Sequence, residues 1–183
     1  MTPADPASHP QPPATLAGKR VLLRRLESND RFALRAILAE PEVARWWAPR
    51  GPDEAVDGLF EPDEIVYAIE VDGVVAGAIE YSEENTPDYR HAGIDIFLGT
   101  AFQGRRLGAD AIRTMARYLI DERGHHRLTI DPATTNERAI RAYERVGFRS
   151  VGVMRGYERG SEGAWHDGLL MDMMAAELTP DEE

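Results

Sequence analysis

"IDIFLGTAFQGRRLGADAIRTM", residues 94–115, decides how the chain folds. Ile94, Ile96, Phe97 and Leu98 around one aspartate make an apolar, strand-like run. A glycine-bearing turn follows. Leu107, Ala111, Ile112 and Met115 then recur at helical spacing, continued by Leu119 and Ile120. A strand that enters a helix through such a turn is a general device for holding phosphate, because the first backbone N–H groups of the helix point outward and its dipole adds positive charge. "QGRRLG" has neither the Lys-Ser/Thr of a P-loop nor the three glycines of a dinucleotide fold. It does place Arg105 and Arg106 side by side in a chain with 32 acidic and 21 basic residues, which makes the turn either a place for an anion or a pair of solvated surface arginines.

Strand and helix signals alternate outward from this stretch. Upstream, "RVLLRRL" (20–26) reads as a strand, and Asn29 or Asp30 is placed to cap a helix that Pro41 ends. "EVARWW" begins a second short helix, and residues 49–62 read as loop around one short helix. "IVYAIEVDGVVAGAIEYSE" (65–83) is a hairpin joined at Asp72-Gly73, a dipeptide suited to a tight primed turn. Downstream, Gly124 stands where a helix C-cap wants a left-handed residue. "HRLTI" is a strand, "NERAIRAYERVGF" (136–148) a helix closed by Gly147, and "RSVGVMRGYER" and "AWHDGLLMDMM" are strands around a Gly/Ser turn. The mixed order predicts an α/β domain, a largely antiparallel sheet flanked by helices with two parallel crossovers.

Composition narrows the function. The 183 residues fit one domain, expected over residues 19–178, after a disordered, proline-rich leader (1–18) and before an acidic tail (179–183). No apolar run approaches the ~20 residues of a membrane span, and the leader lacks the basic start and apolar stretch of a secretory signal, so a cytoplasmic protein without a membrane partner is expected. A net charge of −11 disfavours nucleic acid; it either favours a cationic partner or simply keeps the protein soluble. There is no cysteine, which removes disulfides, thiolate nucleophiles and cysteine-based zinc sites. His125-His126 are adjacent and His91 and His166 isolated, so no metal is expected. A monomer or homodimer is expected.

A second motif sharpens the first. In residues 136–148, Asn136, Ala139 or Ile140, and Tyr143 fall on one helical face, which presents an amide and a phenol together. "FQGRRLGADAI" and "NERAIRAYERVGF", about thirty residues apart, resemble the acetyl-CoA site of the GNAT N-acetyltransferase superfamily. That family's pattern is Gln or Arg, two residues, Gly, one residue, then Gly or Ala, and downstream Asn-x-x-Ala-hydrophobic-x-x-Tyr-x-x-x-Gly-Phe. Asn136, Ala139, Ile140, Tyr143, Gly147 and Phe148 match the second half throughout, and the resemblance spans roughly residues 19–178. The inner glycine is replaced by Arg106, which is expected to keep ordinary helical dihedrals and contribute charge.

The resemblance implies acetyl-CoA bound by Gln103, Gly104, Arg105, Arg106, Leu107, Gly108 and Ala109, with Asn136, Ala139 and Tyr143 beside it. It also implies direct transfer to an amine, with a backbone N–H near Phe97 or Leu98 at the splayed end of "DIFLG" steadying the oxyanion. Tyr143 suits a general acid, because a phenol near pKa ~10 carries its proton at neutral pH and can give it to a thiolate whose thiol lies near ~8.5. Its plainer role is a half-buried aromatic in helix packing. Asp95 is the candidate base; alternatively it faces solvent or pairs with an arginine.

"AGID", "TIDP" with Asp131, and "EVARWW" resemble the aminoglycoside 6′-N-acetyltransferase branch, known for antibiotic resistance, in which matching acidic residues act as base and as ammonium contacts. That resemblance implies a polycationic small-molecule amine as acceptor, the 6′-amine of an aminoglycoside first, held by Asp95 and Asp131. Trp46 and Trp47 are candidate substrate walls, and Glu83, with Glu84 and Asp88, is placed in a loop that an amine-rich substrate could meet. "GAWHDGLLM" resembles the closing hairpin of ribosomal-protein N-terminal and polyamine acetyltransferases, which are the alternative acceptor classes. A non-catalytic acyl-CoA-binding sensor is the alternative of another kind.

Overall fold

A computed structural model describes residues 11–180. Strands β1 (Thr15–Ala17), β2 (Leu22–Arg25), β3 (Ile65–Val71), β4 (Val74–Glu84), β5 (His91–Leu98), β6 (Arg127–Ile130), β7 (Arg149–Arg159) and β8 (Trp165–Met174) form one sheet in the order β1-β2-β3-β4-β5-β6-β8-β7. Around it lie α1 (Asp30–Leu38), α2 (Pro41–Trp47), α3 (Pro52–Gly58), α4 (Leu107–Arg117) and α5 (Glu137–Val146). Adjacent strands are antiparallel except β5 and β6. Because β8 runs antiparallel to both β6 and β7, the last two are parallel to each other with β8 between them. The expected crossovers are therefore β5–α4–β6 and β6–α5–β7.

The strand sequences follow from burial on both faces. Tyr67, Ile69 and Ile79 pack with α4 and α5, whereas Val66, Ala78 and Phe97 pack with α1, α2 and α3. A strand covered on both sides reads as a nearly continuous apolar run, as β3 and β4 do. Asp72 and Gly73 turn between them with φ of 51° and 79°, the primed geometry that their identities predict. β7 closes the sheet on its free edge and is exposed almost throughout. No helix among the described residues is long and apolar enough to cross a membrane.

Two expectations change. Part of the stretch expected as a disordered leader is ordered: Thr15–Ala17 pair with β2, and the Pro13 carbonyl accepts a hydrogen bond from the Tyr67 hydroxyl at 2.8 Å. Residues 1–10 and 181–183 lie outside the described part, and Thr179 of the expected tail is held to the Val146 carbonyl. Neither Asn29 nor Asp30 caps α1 through its side chain. Asp30 is buried and bridged by both guanidinium nitrogens of Arg24, at 2.7 and 2.8 Å, and a carboxylate satisfied that way is not available as a cap.

Candidate active site

The site begins where two strands part. β5 and β6 pair only at Ala92–Leu128 and Gly93–Thr129, while β5 runs on to Leu98 with β4 still beside it. After β6 the chain stays with β8, through hydrogen bonds from Leu169 N–H to the Pro132 carbonyl and from Thr134 N–H to the Asp167 carbonyl. The parallel pair therefore opens like a V. On the β6 side, alternate N–H groups of residues 94–98 have no ladder partner, which is where donors for an oxyanion are expected. A cleft of about 630 Å³ fills the opening, reaching from α2 across the β5 end to α4, α5 and β7.

One wall suits an anion. Gln103 ties the turn to the strand, its Nε2 donating to the Leu98 carbonyl at 2.7 Å. Gly104 has φ +71°, and a Cβ there would meet no atom within 4 Å, so the backbone borders open space. Arg106, next, takes φ 62° and ψ 7°. This corrects the expectation of helical dihedrals: the arginine adopts the left-handed conformation that the missing glycine would take, at a cost of about 1–2 kcal/mol.

Helix α4 starts at the following residue, and its first residues, Leu107, Gly108 and Ala109, line the cleft. The acidic residue in its first turn, Asp110, does not oppose an anion there, because its carboxylate is occupied by the backbone N–H groups of Lys19, Arg20 and Val21. Of the two arginines only Arg106 lines the cleft. Arg105, expected at the cofactor, turns its guanidinium over the Phe102 ring at 5.9 Å, and its carbonyl accepts from Arg20. Leu107, Gly108, Ala109 and, from α5, Asn136, Ala139 and Tyr143 complete this wall. Asn136 caps α5, its Oδ1 accepting from Ala139 N–H at 3.2 Å, which leaves its amide NH₂ for other use. A helix start, open glycine backbone and Arg106 together fit the pyrophosphate of a coenzyme A.

The floor is acidic. Asp95 on β5 and Glu80 on β4 are register partners and share the sheet face of Phe97 and Ala78. Asp131 follows β6, and Glu158 enters from β7 beyond the irregularity between Met154 and Glu158. The Tyr157 hydroxyl donates to Asp131, a bond that pushes the phenol up to about 12. Asp95 is exposed on β5 and opens into the cleft. Burial, then the charges of Asp131, Glu158 and Glu64, push it up to about 6. Burial and then Asp95 push Glu80 up to about 7, and burial and Asp131 raise Glu158. Burial, Asp95 and Asp131 also push the Tyr143 phenol upward, so it keeps its proton throughout the neutral range.

Trp46 and Trp47 line the cleft mouth, with Trp47 packed on Phe97 at 4.9 Å between ring centroids. Glu83 does not belong here. Three residues beyond Glu80 it faces the opposite side of the sheet, where it is buried against Arg123 (2.6 Å) and His125 (2.6 Å). Sequence reasoning missed Glu80, Tyr157 and Glu158. A glutamate in the apolar run "VVAGAIEY" was the available signal for Glu80, while Tyr157 and Glu158 carry none.

Residues 20–149 match the model of the Acetyltransferase (GNAT) domain. The streptothricin acetyltransferase of Streptomyces lavendulae is 29% identical over 80% of this chain and 78% of its own. The aminoglycoside N(6′)-acetyltransferase type 1 of Klebsiella pneumoniae is 27% identical over 76% of this chain and 79% of its own. Among solved structures, spermidine N-acetyltransferase from Vibrio cholerae in complex with CoA and spermine superposes with a TM-score of 0.72 at 20% identity, over 86% of this chain and 97% of that one.

Proposed function

The chain belongs to the GNAT acetyltransferase family and is an amine acetyltransferase that uses acetyl-CoA; from that premise we propose that its acceptor is a polycationic small molecule, an aminoglycoside 6′-amine first and a polyamine second. The observation that carries the reading is the sorting of charge inside one cleft. Arg106 before α4 and Arg138 and Arg145 on α5 stand on one side, the carboxylates of Glu80, Asp95, Asp131 and Glu158 stand on or beside the strands, and at the α2 end Glu42 lines the cleft beside Arg50, which is paired with Glu54 at 2.6 Å. An anionic donor and a cationic acceptor then meet at the V, where only carboxylates inside the cleft escape screening by salt. The relatives named for aminoglycoside and streptothricin acetylation support the same acceptor class.

Bound acetyl-CoA supplies an acetyl group activated as a thioester. Gln103, Gly104, Arg106, Leu107, Gly108, Ala109 and Asn136 would hold the donor, with Arg106 supplying positive charge for its phosphates. The free N–H groups at the end of β5, near Phe97 and Leu98, orient and polarise the acetyl carbonyl. Asp95 takes the proton of the acceptor nitrogen; its raised pKa makes it a better base than an ordinary carboxylate and leaves it largely ionised at pH 7. Tyr143 gives its phenolic proton to the departing sulfur. Asp131, steadied by Tyr157, holds a further ammonium of the acceptor, and Trp46 and Trp47 flank it.

Thiol release from acetyl-CoA, followed with an aminoglycoside, spermidine and N-terminal peptides in parallel, tests the assignment. Turnover is expected with the first two. Acetyl-CoA binding by titration calorimetry without turnover on any amine would replace the enzyme by a sensor.

A further inference from the structure

We propose that Glu80 and Asp95 act as one unit, a two-carboxylate seat that takes the reacting ammonium of the acceptor and receives its proton, so that Glu80 is a catalytic residue. The inference rests on the reading of the acceptor as a cationic amine and deepens it.

The geometry is that of a directly opposed pair. Glu80 and Asp95 are partners in the β4–β5 ladder, on one face of the sheet and in one cleft. Cβ atoms of such partners lie about 4.5–5.5 Å apart, and like charges placed so destabilise a sheet. Nothing in the fold calls for this. On the same face the flanking residues, Ala78 and Phe97, are core.

Five other acids set into the fold meet partners. Asp30 and Glu70 meet Arg24, Glu83 meets Arg123 and His125, Asp110 meets three backbone N–H groups, and Asp172 meets Arg127. Glu80 and Asp95 have neither a hydrogen bond nor an ion pair among the described residues. The groups that face them add repulsion: Asp131 after β6, Glu158 on β7 and Glu64 before β3. The phenols of Tyr143 and Tyr157 feel the Asp95 charge from α5 and β7, and none of the cleft arginines, Arg50, Arg106, Arg138 and Arg145, pairs with either carboxylate.

Opposed carboxylates that lack a cation hold a proton between them, and an arriving ammonium lets both ionise. Burial and then the charge of Asp95 push Glu80 up to about 7, and burial with the charges of Asp131, Glu158 and Glu64 pushes Asp95 up to about 6. The proton count closes. An ammonium that becomes an amide N–H loses two protons through the pair; one replaces the phenolic proton that Tyr143 gives up, and one is released to the cleft.

The test has one readout independent of turnover. Carbon-13 NMR of the full chain labelled at glutamate and aspartate carboxyls, titrated without acceptor, should show Glu80 ionising near about 7 and moving down toward the usual carboxylate range in Asp95→Asn. In kinetics, Glu80→Gln should lower kcat/KM for the cationic acceptor by roughly 10- to 100-fold, the worth of one charged hydrogen bond. It should also cut the acid limb of the pH profile from two protons to one, with acetyl-CoA affinity unchanged, and Glu80→Asp should restore part of the loss. A Glu80 carboxyl that titrates as an ordinary glutamate, or a two-proton limb that survives in Glu80→Gln, overturns the pair. A preference for neutral amines would instead overturn the acceptor reading and leave the NMR result standing, so the two failures are distinct.

Discussion

Gly77 of β4 lies so close to Phe97 of β5 that a Cβ at position 77 would fall 2.0 Å from the Phe97 carbonyl oxygen. With the Gly99 N–H bonded to the Ala76 carbonyl at 2.9 Å, this contact holds the end of β5 to β4, on the side away from β6. The opening of the V depends on it. Gly77→Ala must push the strands apart against packed side chains, which costs roughly 1–3 kcal/mol. A melting temperature lower by several degrees is expected, with weaker acetyl-CoA binding because the Leu98 carbonyl that anchors Gln103 shifts as well. Unchanged melting and binding would show that the approach is tolerated.

Arg106 tests whether its charge or its backbone matters. Glycine at that position removes about 1–2 kcal/mol of left-handed strain and returns about 0.5–1 kcal/mol as chain entropy, so Arg106→Gly should melt at the same temperature or slightly higher. It should bind acetyl-CoA roughly tenfold more weakly, for want of one guanidinium. A calorimetric affinity equal to that of the wild type would remove Arg106 from the phosphates. Arg105→Ala, whose side chain lies outside the cleft lining, should leave affinity nearly unchanged.

Tyr143→Phe separates chemistry from binding. Loss of the phenolic proton should lower kcat by about 10²–10⁴-fold while acetyl-CoA affinity holds. If single-turnover rates match the wild type, the phenol is packing only.

How far the sequence foretold these roles depends on the kind of signal involved. The strand-turn-helix at 94–115 and the helix at 136–148 were legible because a loop glycine, a helical period and a capping asparagine are local facts. The fate of Arg106 was not, since only the packed loop forces a left-handed arginine. Glu83 was misread as a loop acid because its partners, Arg123 and His125, come from forty residues away. Glu80 was passed over because its partner is set by strand register, and Tyr157 and Glu158 reach the cleft only through an irregularity in β7.

The acidic floor should weaken the fold in proportion to its use. Asp95 and Glu80 have folded pKa values raised to about 6 and about 7, so the folded chain holds their protons more tightly than the unfolded chain does. Their contribution to stability is therefore present at acid pH and lost as pH rises from ~4 through those values. Asp95→Asn and Glu80→Gln remove that loss. Each should melt with the wild type at pH 4 and above it at pH 8, as differential scanning calorimetry would record. A gain that is the same at both pH values would contradict the assignment.

An acidic cleft that selects a cationic amine for acetylation at the V between β5 and β6 must discriminate among acceptors by charge. The most direct measurement is kcat/KM for an aminoglycoside, spermidine and a neutral-flanked peptide amine, in the wild type and in Asp95→Asn with Asp131→Asn. The cationic acceptors should exceed the peptide by at least ~10-fold, the worth of one charged contact, and the double variant should erase most of that advantage. Peptide turnover above every polycation, or a cationic preference that survives loss of both carboxylates, would contradict selection by the cleft.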